Sequence, residues 1–228
     1  MLLNRGSLQF KIKNSMSLML IGLGCCAVVK VATQPLVAQP SPSLLPDTIQ
    51  LKDWRMTQTS IETSIADDVS YDQLLLGKAY KYTNQDKQFK LQLGYFFNTN
   101  GDVLALRDRL ASFQKQSENT NIEWEELSQD TTGSYLLAHS TTGTTLLLTC
   151  INADGRNTVN REQFSDNRLK HDISLTQVFQ WLIGRSQFLD KRCLWTHLSL
   201  EGVESKETAR QEAEKILIEL QPRLSQIL

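Results

Sequence analysis

Between residues 89 and 97 every second side chain is apolar. Phe89, Leu91, Leu93, Tyr95 and Phe97 fall on one side of an extended chain, and Lys90, Gln92 and Gly94 on the other. That period of two specifies a half-buried strand and commits the chain to a sheet. Residues 77–83 precede it across the polar turn Asn84-Gln-Asp-Lys87, so the pair predicts a hairpin. Asn98-Thr-Asn-Gly101 ends it with strong turn chemistry. Residues 133–140 and 144–151 form a second hairpin around Thr141-Thr-Gly143, and residues 192–200 read as a further strand.

The remaining segments switch to helical spacing. Val103, Leu106, Leu110 and Phe113 predict a helix over 103–116. Thr158 heads a second helical stretch as its N-cap, and 174–183 is a short helix closed by Gly184. Residues 205–220 place Ala209, Ala213, Ile216, Leu217 and Leu220 on one face, and Pro222 is expected to kink or end that helix. Strands in hairpins with segregated helices predict an α+β domain: a mainly antiparallel sheet packed against helices.

The first 14 residues carry Arg5, Lys11 and Lys13 and no acid, and residues 15–29 are then unbroken apolar or small residues. A basic flank before an apolar stretch is the form of a secretory signal or an uncleaved anchor. The positive-inside rule places the N-terminus in the cytoplasm and the following chain outside. Leu36-Val37-Ala38 is a poor cleavage site, so the retained anchor is the preferred reading. Lys30 lies near the outer end, where its long stem can snorkel to the headgroups. Lipidation at Cys25 is the weaker reading, because Gly22 stands where a bulky apolar residue is usual. The expected organisation is a cytoplasmic flank over 1–14, a membrane segment over 15–37, a Pro/Ser-rich spacer over 38–46 and an exported domain over 47–228.

Composition narrows the partners. The chain has 24 basic and 25 acidic residues, which leaves no electrostatic footprint for nucleic acid. Its 40% hydrophobic content is enough for a core.

Few residues offer chemistry. Cys25 and Cys26 lie in the apolar segment and read as small lipid-facing residues. Cys150 and Cys193 are the cysteines of the exported domain and are candidates for a structural disulfide, the alternative being two buried thiols. Such a bond would stabilise by roughly 4 kcal/mol, less any strain. Cys193, Trp195 and His197 alternate on one strand face, so a Cys193 nucleophile needs a histidine brought from elsewhere, His139 or His171. The three histidines show no metal-ligand spacing, and no glycine-rich phosphate loop follows a strand, so no cofactor is expected. The pairs Asp67-Asp68 and Glu125-Glu126 read as solvated loop charges, and Trp54 and Trp195 as core anchors.

The order of certain segments is distinctive. An apolar N-terminal segment leads to Leu51-Lys-Asp-Trp54, then Lys78-Ala-Tyr-Lys-Tyr82 and Cys150-Ile-Asn-Ala-Asp-Gly-Arg156. Thr158-Val with Gln163-Phe follows, and Arg192-Cys-Leu-Trp-Thr-His-Leu-Ser199 closes the pattern. This order resembles the cyanoexosortase A system-associated proteins over most of residues 45–200. The likeness rests mainly on Thr158-Val with Gln163-Phe and on Arg192, Cys193, Leu194 and Trp195 with His197-Leu-Ser, and Trp54 is a further family-like residue. The resemblance implies a cyanobacterial inner-membrane protein with its domain in the periplasm. It implies a partner as well: an exosortase, a multi-pass membrane protease that sorts exported proteins, often in exopolysaccharide production. It supplies no catalytic residues. The expectation is therefore a non-enzymatic accessory protein, with two alternatives: a thiol hydrolase using Cys193, and a periplasmic sugar- or lipid-binding module.

Overall fold

The computed structural model describes residues 45–62, 72–111, 122–141, 143–154, 156–182, 189–203 and 205–228. The flank, the apolar segment, nearly all of the spacer, Cys25, Cys26, Asp67, Asp68, Gly184 and the predicted helix beyond Ala111 lie outside these residues. The chain divides into two compact units. The sheet and most helices lie in one; Ile173 and the short helix after it lie in the other.

Seven antiparallel strands form one sheet: β1 (Arg55–Glu62), β2 (Gln73–Asn84), β3 (Lys87–Phe97), β4 (Glu125–Gln129), β5 (Gly133–His139), β6 (Thr145–Ile151) and β7 (Cys193–Glu201). Their spatial order is β1-β2-β3-β7-β6-β5-β4. Two meanders, β1-β2-β3 and β4-β5-β6, are thus joined by the last strand, which pairs with β3 on one side and β6 on the other. Both predicted hairpins are present. Asn84 pairs with Lys87 across the first, with Gln85 at φ 53°. Gly143, at φ 85°, supplies the left-handed conformation in the second, where Ser140 N–H donates to the Thr144 carbonyl.

Helices cover both faces. On one, helix α4 (Lys206–Leu224) packs on β6 and β7. Ser205 caps it by accepting from Thr208 N–H at 3.1 Å. Its buried stripe, Ala209, Ala213, Ile216, Leu217, Leu220 and Leu224, meets Leu91, Leu147 and Leu198 of the sheet. Each such Leu or Ile contributes about 1.5–3 kcal/mol on burial. The helix runs past the expected residue 220 to Leu224. Pro222 sits in the last turn, and buried Leu224 beyond it closes the stripe.

The opposite face carries α1 (Val103–Ala111) and α2 (Arg161–His171) over a second core that includes Phe96, Leu106, Leu148, Val159, Phe164 and Trp195. This core corrects the half-buried reading of β3. Its second face is covered as well: Gln92, Gly94 and Phe96 are buried, and Phe97 is only partly so. Gly94 makes this close packing feasible, since a Cβ there would stand 3.0 Å from the Phe96 ring and 3.3 Å from Leu74.

Two further expectations are corrected. Asn160, not Thr158, caps α2, its side-chain Oδ1 accepting from Gln163 N–H at 3.0 Å. Gln163 Oε1 accepts from Val159 N–H in return, a variant of the reciprocal capping box. Thr158 instead extends the sheet, exchanging two backbone hydrogen bonds with Cys150. Glu125 and Glu126 are not in a loop. They open the edge strand β4, where Glu126 accepts from Gln163 Nε2.

Helix α3 (Leu175–Leu182) follows Ile173 in the second unit. Asp172 accepts from Asp190 N–H at 2.8 Å, tying together the two points where the chain leaves and rejoins the sheet-bearing unit.

Candidate functional site

Strand β7 is central in the sheet and carries most of the residues singled out above. Alternation divides them. Cys193, Trp195 and His197 face α1 and α2, while Leu194 faces α4. Arg192 precedes the strand and is held by Asp190, with Nε donating to Oδ1 at 2.8 Å and Nη2 to Oδ2 at 2.5 Å. That bidentate pair keeps the guanidinium charged and raises its pKa further.

Cys150 lies opposite Trp195 in the β6–β7 ladder, which brings it diagonally beside Cys193. Their Cα atoms are 5.6 Å apart and the sulfurs are bonded. Both residues are fully buried. The disulfide therefore staples the inserted strand β7 to its neighbour. A sulfur in this bond is not a thiolate nucleophile.

Trp195 is a core anchor, as expected. Its indole N–H donates to the Val103 carbonyl at 3.1 Å and fixes the start of α1. Its ring lies 5.6 Å from that of His197. His197 Nδ1 is 3.0 Å from Gln92 Oε1 on β3, so that nitrogen carries the proton in the neutral ring and Nε2 is the acceptor. Burial, reinforced by Lys90 and Arg107, pushes its pKa down to about 4. His197 is thus an uncharged hydrogen-bonding partner.

The other histidines do not join Cys193. His139 pairs with Thr145, Nδ1 to Oγ1 at 2.9 Å, and Thr145 stands opposite Leu200, on the α4 face of the sheet. Burial lowers its pKa as well. His171 is exposed at the end of α2. Trp54 is buried edge-on against Phe89, ring centroids 4.6 Å apart. Among the described residues no three His, Cys, Asp or Glu side chains group to hold a metal.

Two polar features escape a reading of the sequence alone. Lys78, Tyr80 and Tyr82 alternate along β2 and clasp the segment that enters the domain. Lys78 Nζ donates to the Leu45 carbonyl and to Asp47, Tyr80 Oη to the Pro46 carbonyl and Tyr82 Oη to the Ile49 carbonyl. The folded domain therefore begins at least at Leu45. A lysine in register with two tyrosines on a buried face was the available signal. The second feature is Gln92, whose Nε2 is buried without a hydrogen-bond partner beside His197. On the same face Lys81 stands directly opposite Lys90, and Ser199 follows across β7.

Comparison with family models, with curated protein sequences and with solved structures found no match to this chain.

Proposed function

We propose that this chain is a membrane-anchored accessory protein of an exosortase-type sorting system. Its sheet domain stands in the periplasm, on the far side of the inner membrane from the N-terminus, and works by contact rather than catalysis. The observation that carries the reading is the Cys150–Cys193 bond. It fits an oxidising compartment. It also occupies the one sulfur that the hydrolase alternative requires, while Trp195 and His197 beside it are engaged in packing and cross-strand hydrogen bonding. The segment order described above supports the sorting partner. Among the described residues no helix is long and apolar enough to cross a membrane, and the tethering role belongs to residues 15–37.

The test is cargo processing in cells that carry Cys193→Ser, His139→Ala, His171→Ala or His197→Ala. Each variant that remains folded and abundant should process exported cargo normally, whereas removal of residues 15–37 should weaken processing by lowering local concentration. A folded, abundant cysteine or histidine variant without processing would reinstate the enzyme. Co-purification of the tagged full chain with a membrane exosortase tests the partner.

A second reading, a periplasmic sugar- or lipid-binding module, draws on the unpartnered Gln92 Nε2 and the facing Lys81 and Lys90. Like charges directly opposite in a sheet are unfavourable unless an anion or solvent separates them.

A further inference from the structure

Among the described residues six large apolar side chains are exposed, and three of them, Ile173, Leu175 and Phe179, fall within seven positions of chain. Leu175 is 91% exposed, Phe179 61% and Ile173 44%. Leu175 and Phe179 are four apart on α3 and share one face of the helix. Val178 and Leu182 extend the same stripe in sequence, and Trp181 lies beside it. No charged residue occurs from Ile173 to Leu182. A stripe made for a protein core is buried, whereas a clustered exposed stripe marks an interaction surface.

The chain's own layout selects the occupant. Seven residues, spanned by eight Cα steps, lie between the end of the apolar segment at residue 37 and clasped Leu45, so the tether reaches at most about 28 Å. Helix α3 carries no charge, and a tryptophan beside an apolar stripe suits the boundary between headgroups and acyl chains.

We infer that α3 is an interfacial membrane helix, with Ile173, Leu175 and Phe179 seated in the surface of the bilayer that holds the N-terminal segment. The inference rests on reading residues 15–37 as an anchor. It gives the chain two attachments to the membrane, the N-terminal segment and α3.

The experiment uses the full chain in vesicles of phosphatidylethanolamine and phosphatidylglycerol. A benzophenone amino acid replaces Leu175 or Phe179 in separate variants, and Ile61 or Ile218 in reference variants, since both are exposed apolar residues outside the stripe. Irradiation should give lipid adducts at 175 and 179 and none at 61 and 218. Adducts at all four positions, adducts at none, or a crosslink from 175 or 179 to a second copy or another protein would overturn the inference. The unmodified chain supplies an independent reading: lipids brominated high on the acyl chain should quench its tryptophan fluorescence, and Trp181→Phe should lose that quenching. Unchanged quenching in Trp181→Phe counts against the helix. A carbonate wash separates the two claims. A chain that washes off yet forms lipid adducts at neutral pH refutes the anchor and keeps the helix. A chain that resists washing without adducts refutes the helix and keeps the anchor.

Discussion

Lys78 Nζ lies 2.7 Å from Asp47 Oδ1, although Lys78 is 4% exposed and the Asp47 side chain is 93% exposed. The lysine thus reaches outward from the face of β2 to hold the first residues of the domain. Its ammonium also donates to the Leu45 carbonyl, and the Asp47 carboxyl is held below the usual carboxylate range by that hydrogen bond and charge. Tyr80 and Tyr82 repeat the contact at the Pro46 and Ile49 carbonyls. Residues 45–49 are therefore held against β2.

The clasp predicts a local phenotype. Tyr82→Phe leaves the buried Ile49 carbonyl without its donor, at a cost of about 1–2 kcal/mol. The expected result is a lower denaturant midpoint at unchanged slope, with faster hydrogen exchange over residues 45–51 than over β3. Loss of protection spread evenly through the sheet would contradict a local clasp.

For the disulfide, Cys150→Ala with Cys193→Ala removes a bond that closes 43 residues. The chain-entropy estimate is about 4 kcal/mol, reduced by whatever cohesion the unfolded chain keeps. Unfolding of the oxidised and reduced chain measures it directly. Alkylation of the denatured, unreduced domain should leave both residues unlabelled. Labelling of both would return Cys193 to the nucleophile reading.

Strand β3 was legible from its period of two, and β2, β5, β6 and β7 from β-rich runs bounded by turn chemistry, although cores cover both faces of the sheet. The edge strands β1 and β4 were not. Arg55–Glu62 and Glu125–Gln129 are polar and largely exposed, so neither apolar period nor turn chemistry marks them. The insertion of β7 between β3 and β6 is a long-range fact that no local pattern encodes. The candidate site was legible in part. Cys150 and Cys193 stood out as the domain's cysteines, but their pairing depends on that insertion. Gln92 read as an outward polar residue because its cross-strand partner, His197, lies 105 positions away.

Gly101 offers a test of the second core. It sits at φ 76°, and a Cβ there would stand 2.4 Å from Phe164 Cγ and 2.6 Å from its Cβ. Gly101→Ala therefore combines left-handed strain of about 1 kcal/mol with a displaced core aromatic costing 1 kcal/mol or more. The fall in melting temperature should be less than additive with Phe164→Ala in the same chain, because that change removes Cγ and the ring, the atoms nearest the new methyl. Additive losses would show that the two residues act separately.

The pH dependence of stability should report His197. Its pKa is about 4 in the fold against an ordinary 6.5, so between these values the unfolded chain binds the extra proton. Stability then rises with pH across that window and falls as pH drops from about 6.5 toward 4. The full linkage is about 3 kcal/mol, since one pKa unit corresponds to about 1.4 kcal/mol. His139 is shifted in the same direction and adds to the slope. The salt-bridged carboxyls of Asp47, Asp53 and Glu207 are held low instead, so their contribution is lost only as pH falls below their ordinary range near 4. Denaturant midpoints from pH 8 to pH 3 should therefore show two declines. His197→Gln should flatten the upper one and leave the lower one in place, with His139→Gln removing the remainder. An upper decline that persists in the His197→Gln, His139→Gln double variant would mean that another group carries the proton.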